Sequence, residues 1–170
     1  MKTFNKVFLS LGSNIGDRES NIAQAISAIE ITPEVENMNS ASFYHTEPLY
    51  NKDQGFFINT VIGFDTIIKP FQLLDIIKKI EFMLGRKKHR KKNMPRIIDI
   101  DILVHGESII ETEELIIPHP NLIHRKFVLI PFDEIAPDYK IPPMKLTVHE
   151  LLVNCVDESF VGLHDMVNKA

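Results

Sequence analysis

Two carboxylates inside a strongly apolar segment are the residues of this sequence best suited to carry out chemistry. Asp99 and Asp101 lie in segment 97–104, where every other residue is Ile, Leu or Val. This composition is typical of a β-strand. Because strand side chains alternate between the two faces of a sheet, both acids point to the same side, with Cβ atoms roughly 6.5–7 Å apart. The opposite face is apolar and consists of Ile98, Ile100, Ile102 and Val104.

The basic segment immediately before this strand suggests what the acids could hold. Residues 86–92 contain six of the 19 Lys and Arg residues, although the whole chain has a formal net charge of −4. Taken separately, an acidic strand face and a run of charges are usually just solvated surface. Together they resemble the clamp of metal ions and cationic side chains that neutralises phosphates during phosphoryl transfer. Such carboxylates could grip two hard cations about 3.5–4 Å apart, a geometry that suits magnesium.

The composition limits the class of protein. A length of 170 residues, with 44% hydrophobic and 25% charged residues, is typical of one globular domain, so we expect a single domain over residues 1–170. Cys155 is the only cysteine and cannot form an internal disulfide, which fits a reducing cytoplasm. We find no signal-peptide pattern and no apolar run near the ~18 residues of a membrane span. We therefore expect a soluble, cytoplasmic protein that does not associate with a membrane.

Hydrophobic periodicity predicts the order strand, helix, strand, strand, helix, strand. The predicted strands are 7–11, 41–46, 56–66 and 97–104; the first helix is capped by Asp17, and the second lies between Pro70 and Gly85. An amphipathic segment at 121–135 and a short helix near 148–153 follow. This order predicts an α+β fold, a ferredoxin-like split βαβ sandwich. We expect an antiparallel sheet with helices on one face and the active site on the other.

The predicted strand 56–66 adds two further candidates to the face with the acids. Phe57 and Asn59 alternate with the apolar residues of this strand and so point to its other side. Phe57 could be an ordinary core residue, but its position on the other face from Phe56 and Ile58 argues against that role. A buried Asn59 is costly unless a hydrogen-bonding partner satisfies it, so a bound ligand is one candidate partner.

Several short motifs, none specific alone, occur in order along most of the chain. They occupy residues 11–17, 43–48, 53–54, 57–59, 81, 85–86, 95–101, 118–120 and 125–129. In this order the sequence resembles the 6-hydroxymethyl-7,8-dihydropterin pyrophosphokinase family of folate biosynthesis, from about residue 7 to residue 152. The resemblance implies a ferredoxin-like enzyme that moves the β,γ-pyrophosphate of ATP to the hydroxymethyl group of a reduced pterin and releases AMP.

The resemblance also implies roles for individual residues. Asp99 and Asp101 would hold two magnesium ions, and Arg86 and Arg96 would contact the phosphates, which makes these four the predicted catalytic residues. The predicted ATP-binding residues are Glu81, Arg86, Lys88, Arg96, Ile102, His119 and Arg125. The pterin ring would lie between two aromatic side chains, with an Asn at its edge and further contacts from a loop. These predicted residues are Phe57, Phe127, Asn59, Thr46, Glu47 and Leu49.

Two other classes of protein share part of this pattern. A different two-metal phosphoryl-transfer or phosphodiester-cleaving enzyme would need the acids but not Phe57, Asn59 or Phe127. A ferredoxin-like RNA-binding module would use the basic segment, but the acidic net charge and the lack of an RNP-type aromatic run disfavour it. We therefore expect ATP and a reduced pterin as small-molecule partners, no nucleic acid, and a monomer.

Some positions depart from what these motifs lead us to expect. The glycine-containing segment 12–17 is not followed by Gly-Lys-Ser/Thr, so it is not a P-loop, and its glycines are expected to serve a tight turn. Tyr50 stands where the family usually has Gly. Asn93 and Met94 stand where it usually has an aromatic and a small residue. The shapes of both loops are therefore not predicted.

Overall fold

The computed structural model describes residues 3–86 and 94–165, and its largest element is an antiparallel sheet. The strands are β1 (Asn5–Ser13), β2 (Val35–Ser40), β3 (Tyr44–Thr46), β4 (Phe57–Thr66), β5 (Asp99–His105), β6 (Ile110–Glu111), β7 (Ile116–Ile117), β8 (Lys140–Ile141), β9 (Leu146–Thr147) and β10 (Val161–Leu163). The helices are α1 (Arg18–Glu30), α2 (Pro70–Met83), α3 (Lys126–Ile135) and α4 (Val148–Val153), with a 3-10 turn at Leu122–His124.

The large sheet has the order β10-β3-β4-β1-β5, and β2 pairs with β4 on the same side as β3. The strand and helix order predicted from periodicity is confirmed in outline, and so is the antiparallel α+β architecture. The predicted caps are confirmed as well. Asp17 accepts a hydrogen bond from the Ser20 amide at 3.1 Å, Pro70 is the first residue of α2, and Gly85 follows that helix with φ 98°.

Helices α1 and α2 pack on one face of the sheet and enclose a wholly apolar cluster. The buried residues of this cluster include Leu9, Leu11, Ile22, Ile62, Ile77 and Ile100. Helices α3 and α4 pack on part of the other face, against Phe8, Val61 and Val104. These strand residues are apolar and need a cover, so the second face is open only where its residues become polar.

Three local differences from the predicted elements have identifiable causes. The predicted strand 41–46 is replaced by β2 and β3; the sequence of β2 is largely polar, and its pairing shifts between Glu36 and Asn39. Strand β5 contains a bulge, because Phe8 pairs with Val104 whereas Leu9 pairs with Ile102. Val104 therefore faces the apolar cluster under α3 and α4, and does not share a face with Ile98, Ile100 and Ile102 as predicted.

Strand β10, which no periodicity predicted, closes one edge of the sheet by pairing with β3, Val161 opposite Thr46. Across residues 3–86 and 94–165, no helix combines the length and apolar character needed to cross a membrane.

Candidate active site

A cavity of ≈ 360 Å³ opens on the second face of the sheet, beside the N-terminus of α3. Twelve of the fifteen predicted site residues line it. They are Thr46, Glu47, Leu49, Phe57, Asn59, Arg86, Arg96, Asp99, Asp101, His119, Arg125 and Phe127. The strands bring most of the floor together, because β1 lies between β4 and β5 and places Ser10 directly opposite Asp101.

Asp99 lies at the centre of a charged network at one end of the cavity. Its Oδ1 accepts a hydrogen bond from Arg86 Nη1 at 2.6 Å, and its Oδ2 is paired with Arg96. Arg96 lies in the loop before β5, and Asn14 fixes that loop. The Arg96 amide donates to Asn14 Oδ1 at 2.6 Å, and the Asn14 amide donates to the Arg96 carbonyl at 3.0 Å. Both guanidinium groups are thus held at the Asp99 carboxylate.

Asp101 projects into the cavity beside His119, and its side chain retains 41% of its exposure. Enclosure by the cavity walls and the nearby Asp99 carboxylate raise the pKa of Asp101. Nε2 of His119 lies 3.8 Å from Asp101 Oδ2. The His119 ring accepts at Nδ1 from the Asn121 amide at 3.2 Å, so the proton of the neutral ring sits on Nε2, facing the carboxylate. Burial and Arg125 lower the pKa of His119 to about 4, which keeps this ring uncharged at neutral pH.

Two predicted ATP-binding residues that the structure describes, Glu81 and Ile102, do not line the cavity. Glu81 lies on α2 behind Arg86, is 8% exposed, and accepts from the Ile100 amide at 2.8 Å. It also pairs with Arg86, so it orients that side chain; burial raises the pKa of Glu81 to about 7. The side chain of Ile102 is 5% exposed and packs in the core under α1 and α2. Strand alternation turns this side chain away from the acids, so a contact of Ile102 with ATP stays a prediction that only its backbone could fulfil. Lys88 lies outside the described residues.

Asn59 lies at the other end of the cavity and is 4% exposed. Its Nδ2 donates to the Thr46 hydroxyl at 2.5 Å, which fixes the orientation of the amide. Gly12 makes this placement possible, because a Cβ on Gly12 would lie 2.4 Å from Asn59 Oδ1. The expectation that Gly12 serves a turn is therefore wrong. Strand β1 continues to Ser13, and Gly12 admits the close approach of a neighbouring side chain.

The aromatic and loop residues complete the wall near Asn59. Phe127 is partly buried against the apolar cluster under α3 and α4. Its ring centroid lies 5.8 Å from the guanidinium carbon of Arg125. Arg125 Nη2 also donates to the Tyr50 hydroxyl at 3.3 Å. Glu47 lines the cavity, but its carboxylate accepts from the Phe160 amide at 2.8 Å and so is engaged with the C-terminal part of the chain.

Several lining residues were not found from the sequence. They are Ser10, Gly12, Pro48, Tyr50, Asn51, Gln54, Met94, Pro120 and Asn121. Ser10 carried a usable signal, because it is the polar residue between Leu9 and Leu11 and alternation places it on the open face. Pro48, Gln54 and Pro120 lie within the motifs that carry the resemblance, but no periodicity marks the loop residues, since their approach depends on long-range contacts such as Asn14 Nδ2 to Gln54 Oε1 at 2.9 Å.

The carboxylate pair has the donor chemistry that magnesium requires. Asp99 and Asp101 offer hard oxygen ligands on one strand face, directed into the cavity. Among the residues that the structure describes, no group of three or more His, Cys, Asp or Glu side chains could hold a metal ion. Magnesium is usually bound by one or two carboxylates together with substrate phosphates and water, so the residues present fit an ion that arrives with a phosphate chain.

Comparison with solved structures gives the fold. The wild-type HPPK-DHPS of Plasmodium falciparum, solved with pteroate, superposes with a TM-score of 0.70 at 18% sequence identity, over 90% of this chain and 42% of that chain. This chain thus spans less than half of that longer protein. At this identity, the likeness supports the shared fold alone.

Comparison with protein sequences gives the family. The 2-amino-4-hydroxy-6-hydroxymethyldihydropteridine pyrophosphokinase of Bacillus subtilis is 40% identical over 132 residues, which are 78% of each protein. The protein of the same name from Pseudomonas aeruginosa is 35% identical over 158 residues, 93% of this chain and 96% of that protein. A family model for 7,8-dihydro-6-hydroxymethylpterin-pyrophosphokinase (HPPK) matches residues 8–137. The chain therefore belongs to the 7,8-dihydro-6-hydroxymethylpterin-pyrophosphokinase family.

Proposed function

We propose that this chain transfers the pyrophosphoryl group of ATP to the hydroxymethyl group of 6-hydroxymethyl-7,8-dihydropterin and releases AMP, a step of folate biosynthesis. Membership of the family supports this reaction. The observation that carries it is a single cavity with two chemically different ends. One end holds a carboxylate pair with two arginines, and the other holds a buried amide with two aromatic side chains.

The charged end suits the triphosphate. In the proposed reaction the pterin alcohol releases its proton as its oxygen forms a bond to the β-phosphorus, the bond from that phosphorus to the α-phosphate oxygen breaks, and AMP leaves. Magnesium held by Asp99 and Asp101 would neutralise charge on the phosphates, and the presence of two carboxylates supports two ions. Arg86 and Arg96 now pair with Asp99. We propose that they move from this carboxylate to phosphate oxygens when ATP binds, because guanidinium groups can bind phosphate in a bidentate manner.

The end of the cavity with Asn59, Phe57 and Phe127 suits a flat heteroaromatic ring. Phe57 and Phe127 provide apolar ring faces for stacking. Asn59 offers both an acceptor and a donor, and its hydrogen bond to Thr46 leaves the amide oxygen for a donor on the pterin. A buried amide that lacks such a partner is unfavourable, so this end selects a ligand with a polar edge.

The remaining features of the proposal concern the state of the protein. We propose that the 170 residues act as one domain, with ATP and the pterin as small-molecule partners and no nucleic acid. We also propose a monomer, because one copy of the chain supplies both ends of the cavity. A cytoplasmic location is supported by the single, unpaired Cys155.

The test is product analysis with ATP labelled in the β-phosphate. Purified protein, magnesium and 6-hydroxymethyl-7,8-dihydropterin should yield AMP and a labelled pterin diphosphate in equal amounts. Without pterin, no AMP should form, which separates transfer from hydrolysis of ATP to AMP and pyrophosphate. Formation of ADP or free phosphate instead of AMP, or of AMP at the same rate without pterin, would overturn the proposed function.

A further inference from the structure

The segment 157–163, here called the C-terminal segment, contacts two walls of the cavity. It lies beyond residues 8–137, which the family model matches. Its last three residues form β10, which pairs with β3 and places Val161 opposite Thr46. Its first four residues reach from this edge of the sheet to the start of α3. The segment therefore connects the loop that follows Thr46 to the helix that carries Phe127.

Asp157 takes the place of a capping residue for α3. Its Oδ2 accepts from the Lys126 amide at 2.9 Å, and its Oδ1 accepts from the Ser159 amide at 2.9 Å. Arg125, at the N-cap position, makes no capping hydrogen bond with its side chain. A carboxylate at this end also complements the positive end of the helix dipole. Partial burial raises the pKa of Asp157, but these hydrogen bonds outweigh it and keep the pKa below its ordinary value.

The residue after Lys126 is Phe127, which lines the cavity. Side chains in the first turn of a helix are positioned only as well as that turn is ordered, because its amides have no partners within the helix. By binding the Lys126 amide, Asp157 fixes the backbone one residue before the aromatic ring.

The same segment is tied to the opposite wall through Glu47. The Phe160 amide donates to Glu47 Oε1 at 2.8 Å, and the Glu47 amide donates to the Phe160 carbonyl at 3.3 Å. Leu49 and Pro48, which follow Glu47, also line the cavity. Four residues, from Asp157 to Phe160, thus bridge the Phe127 wall and the Glu47 wall.

We propose that Asp157 is a positioning residue for the pterin. It holds the first turn of α3, and with it Phe127, in a fixed position relative to Glu47 on the opposite wall of the cavity. This inference rests on the proposed function, since it takes the pterin as the ligand at Phe127. Asp157 does not line the cavity and acts through Phe127. Its loss should weaken pterin binding more than ATP binding, because Arg125 is the only predicted ATP-binding residue, among those the structure describes, next to the capped turn.

The test is a double-mutant cycle read by direct binding. The dissociation constant of 6-hydroxymethyl-7,8-dihydropterin is measured by its fluorescence, with a non-hydrolysable ATP analogue and magnesium present; that of the analogue is measured separately. Asp157→Ala should weaken pterin binding about fivefold, the equivalent of a lost cap, and analogue binding by less than about twofold. With Phe127→Ala already present, Asp157→Ala should change pterin binding by less than about twofold, because the ring through which it acts is gone.

Thr147→Ala is the matched control for a purely structural effect. Thr147 caps α4 by accepting from the Glu150 amide at 3.1 Å and is not a cavity residue. It should lower the melting temperature about as much as Asp157→Ala and leave pterin binding unchanged. The inference would be overturned if Asp157→Ala weakened pterin and analogue binding equally. It would also be overturned if Asp157→Ala weakened pterin binding by the same factor with and without the Phe127 side chain. A wild-type protein that binds pterin but makes no AMP would contradict only the proposed function.

Discussion

The two faces of the sheet are built from the same strands but have different roles. Toward α1 and α2, neighbouring positions such as Leu9, Leu11 and Ile100 are buried in an apolar cluster. One residue along, Ser10 and Asp101 face the cavity. Because adjacent residues of a strand point to opposite faces, stability and chemistry are separated by a single position. Substitutions on one face should therefore change folding, and those on the other should change turnover.

The faces also differ in how their groups are satisfied. The α1 and α2 face is stabilised by apolar burial, whereas polar groups on the open face pair with one another. Asn59 binds Thr46, and Asp99 binds Arg86 and Arg96. The pairs of Asp99 occupy the two guanidinium groups that the proposed phosphates would use. Binding of the proposed phosphates at these guanidinium groups therefore requires an exchange of partners.

The largest expected effect comes from Asp101→Asn. The substitution removes a proposed metal ligand, so AMP formation should fall about 10³-fold. The melting temperature should be unchanged or higher, because enclosure already disfavours the charged form of Asp101. Rates of AMP release and thermal unfolding are the measurements.

Ile100→Val, next to it on the buried face, is the matched control. It should lower the free energy of unfolding by about 0.5–1.5 kcal/mol and leave the rate unchanged. If Asp101→Asn kept most of its activity, Asp101 would have no role in holding magnesium.

The second prediction tests the buried face alone. Ile77 on α2 is fully enclosed, so Ile77→Ala should lower the free energy of unfolding by about 2–5 kcal/mol. Urea unfolding measures this change. At a temperature where the variant is folded, the Michaelis constant for the pterin should match that of the wild type. A several-fold rise would show that the two faces are coupled through the strands.

The third prediction tests the close approach on the open face. In Gly12→Ala the new Cβ would meet Asn59 Oδ1 at 2.4 Å, so the amide must shift. Pterin affinity should fall about tenfold, the equivalent of about 1.4 kcal/mol, with a smaller change for ATP. Gly55→Ala is the control, because a Cβ there would have one neighbour, the Asn14 carbonyl oxygen at 3.9 Å. Equal pterin affinities for both variants would contradict the role of Gly12.

Local pattern was sufficient to predict the fold where residues alternate or repeat strictly. Strand β4 and helix α2 were predicted within a residue or two, because Phe57–Thr66 is rich in aromatic and β-branched residues and Pro70 and Gly85 mark the helix ends. Strand β2 was missed because its polar sequence has no buried face and its pairing contains a bulge. Strand β10 was missed because three residues carry no period; its position depends on pairing with β3.

Within the site, the sequence was informative about faces but not about contacts between distant segments. Alternation correctly placed Asp99 and Asp101 on the opposite face of the strand from Ile100. The same rule places the Ile102 side chain in the core and outside the cavity. No spacing rule indicates that Asn14 binds Arg96, 82 residues away. The roles proposed for the lining residues stay predictions until the assays above are done.

The smallest expected effect concerns how α3 is attached to the open face. Glu134 accepts from the Tyr44 hydroxyl at 2.7 Å and from the Ser42 hydroxyl at 2.8 Å, which ties the helix to the edge of the sheet. Burial alone would raise the pKa of Glu134, but these hydrogen bonds outweigh it and lower the pKa below its ordinary value. Tyr44 stays protonated throughout, since burial and Glu134 raise its pKa to about 12.

A lowered pKa in the folded state means that the ionised group stabilises the protein. This contribution is complete above the ordinary pKa of Glu134 and is lost as the pH falls through its folded value. Glu134→Gln should therefore lower the melting temperature near neutral pH by about 2–4 °C at most, and the difference should shrink in acid. Glu114→Gln, which removes an exposed pair with Lys78, should show almost no difference at any pH. A difference for Glu134→Gln that is constant with pH would mean that the ionised carboxylate does not contribute to holding α3 on this face.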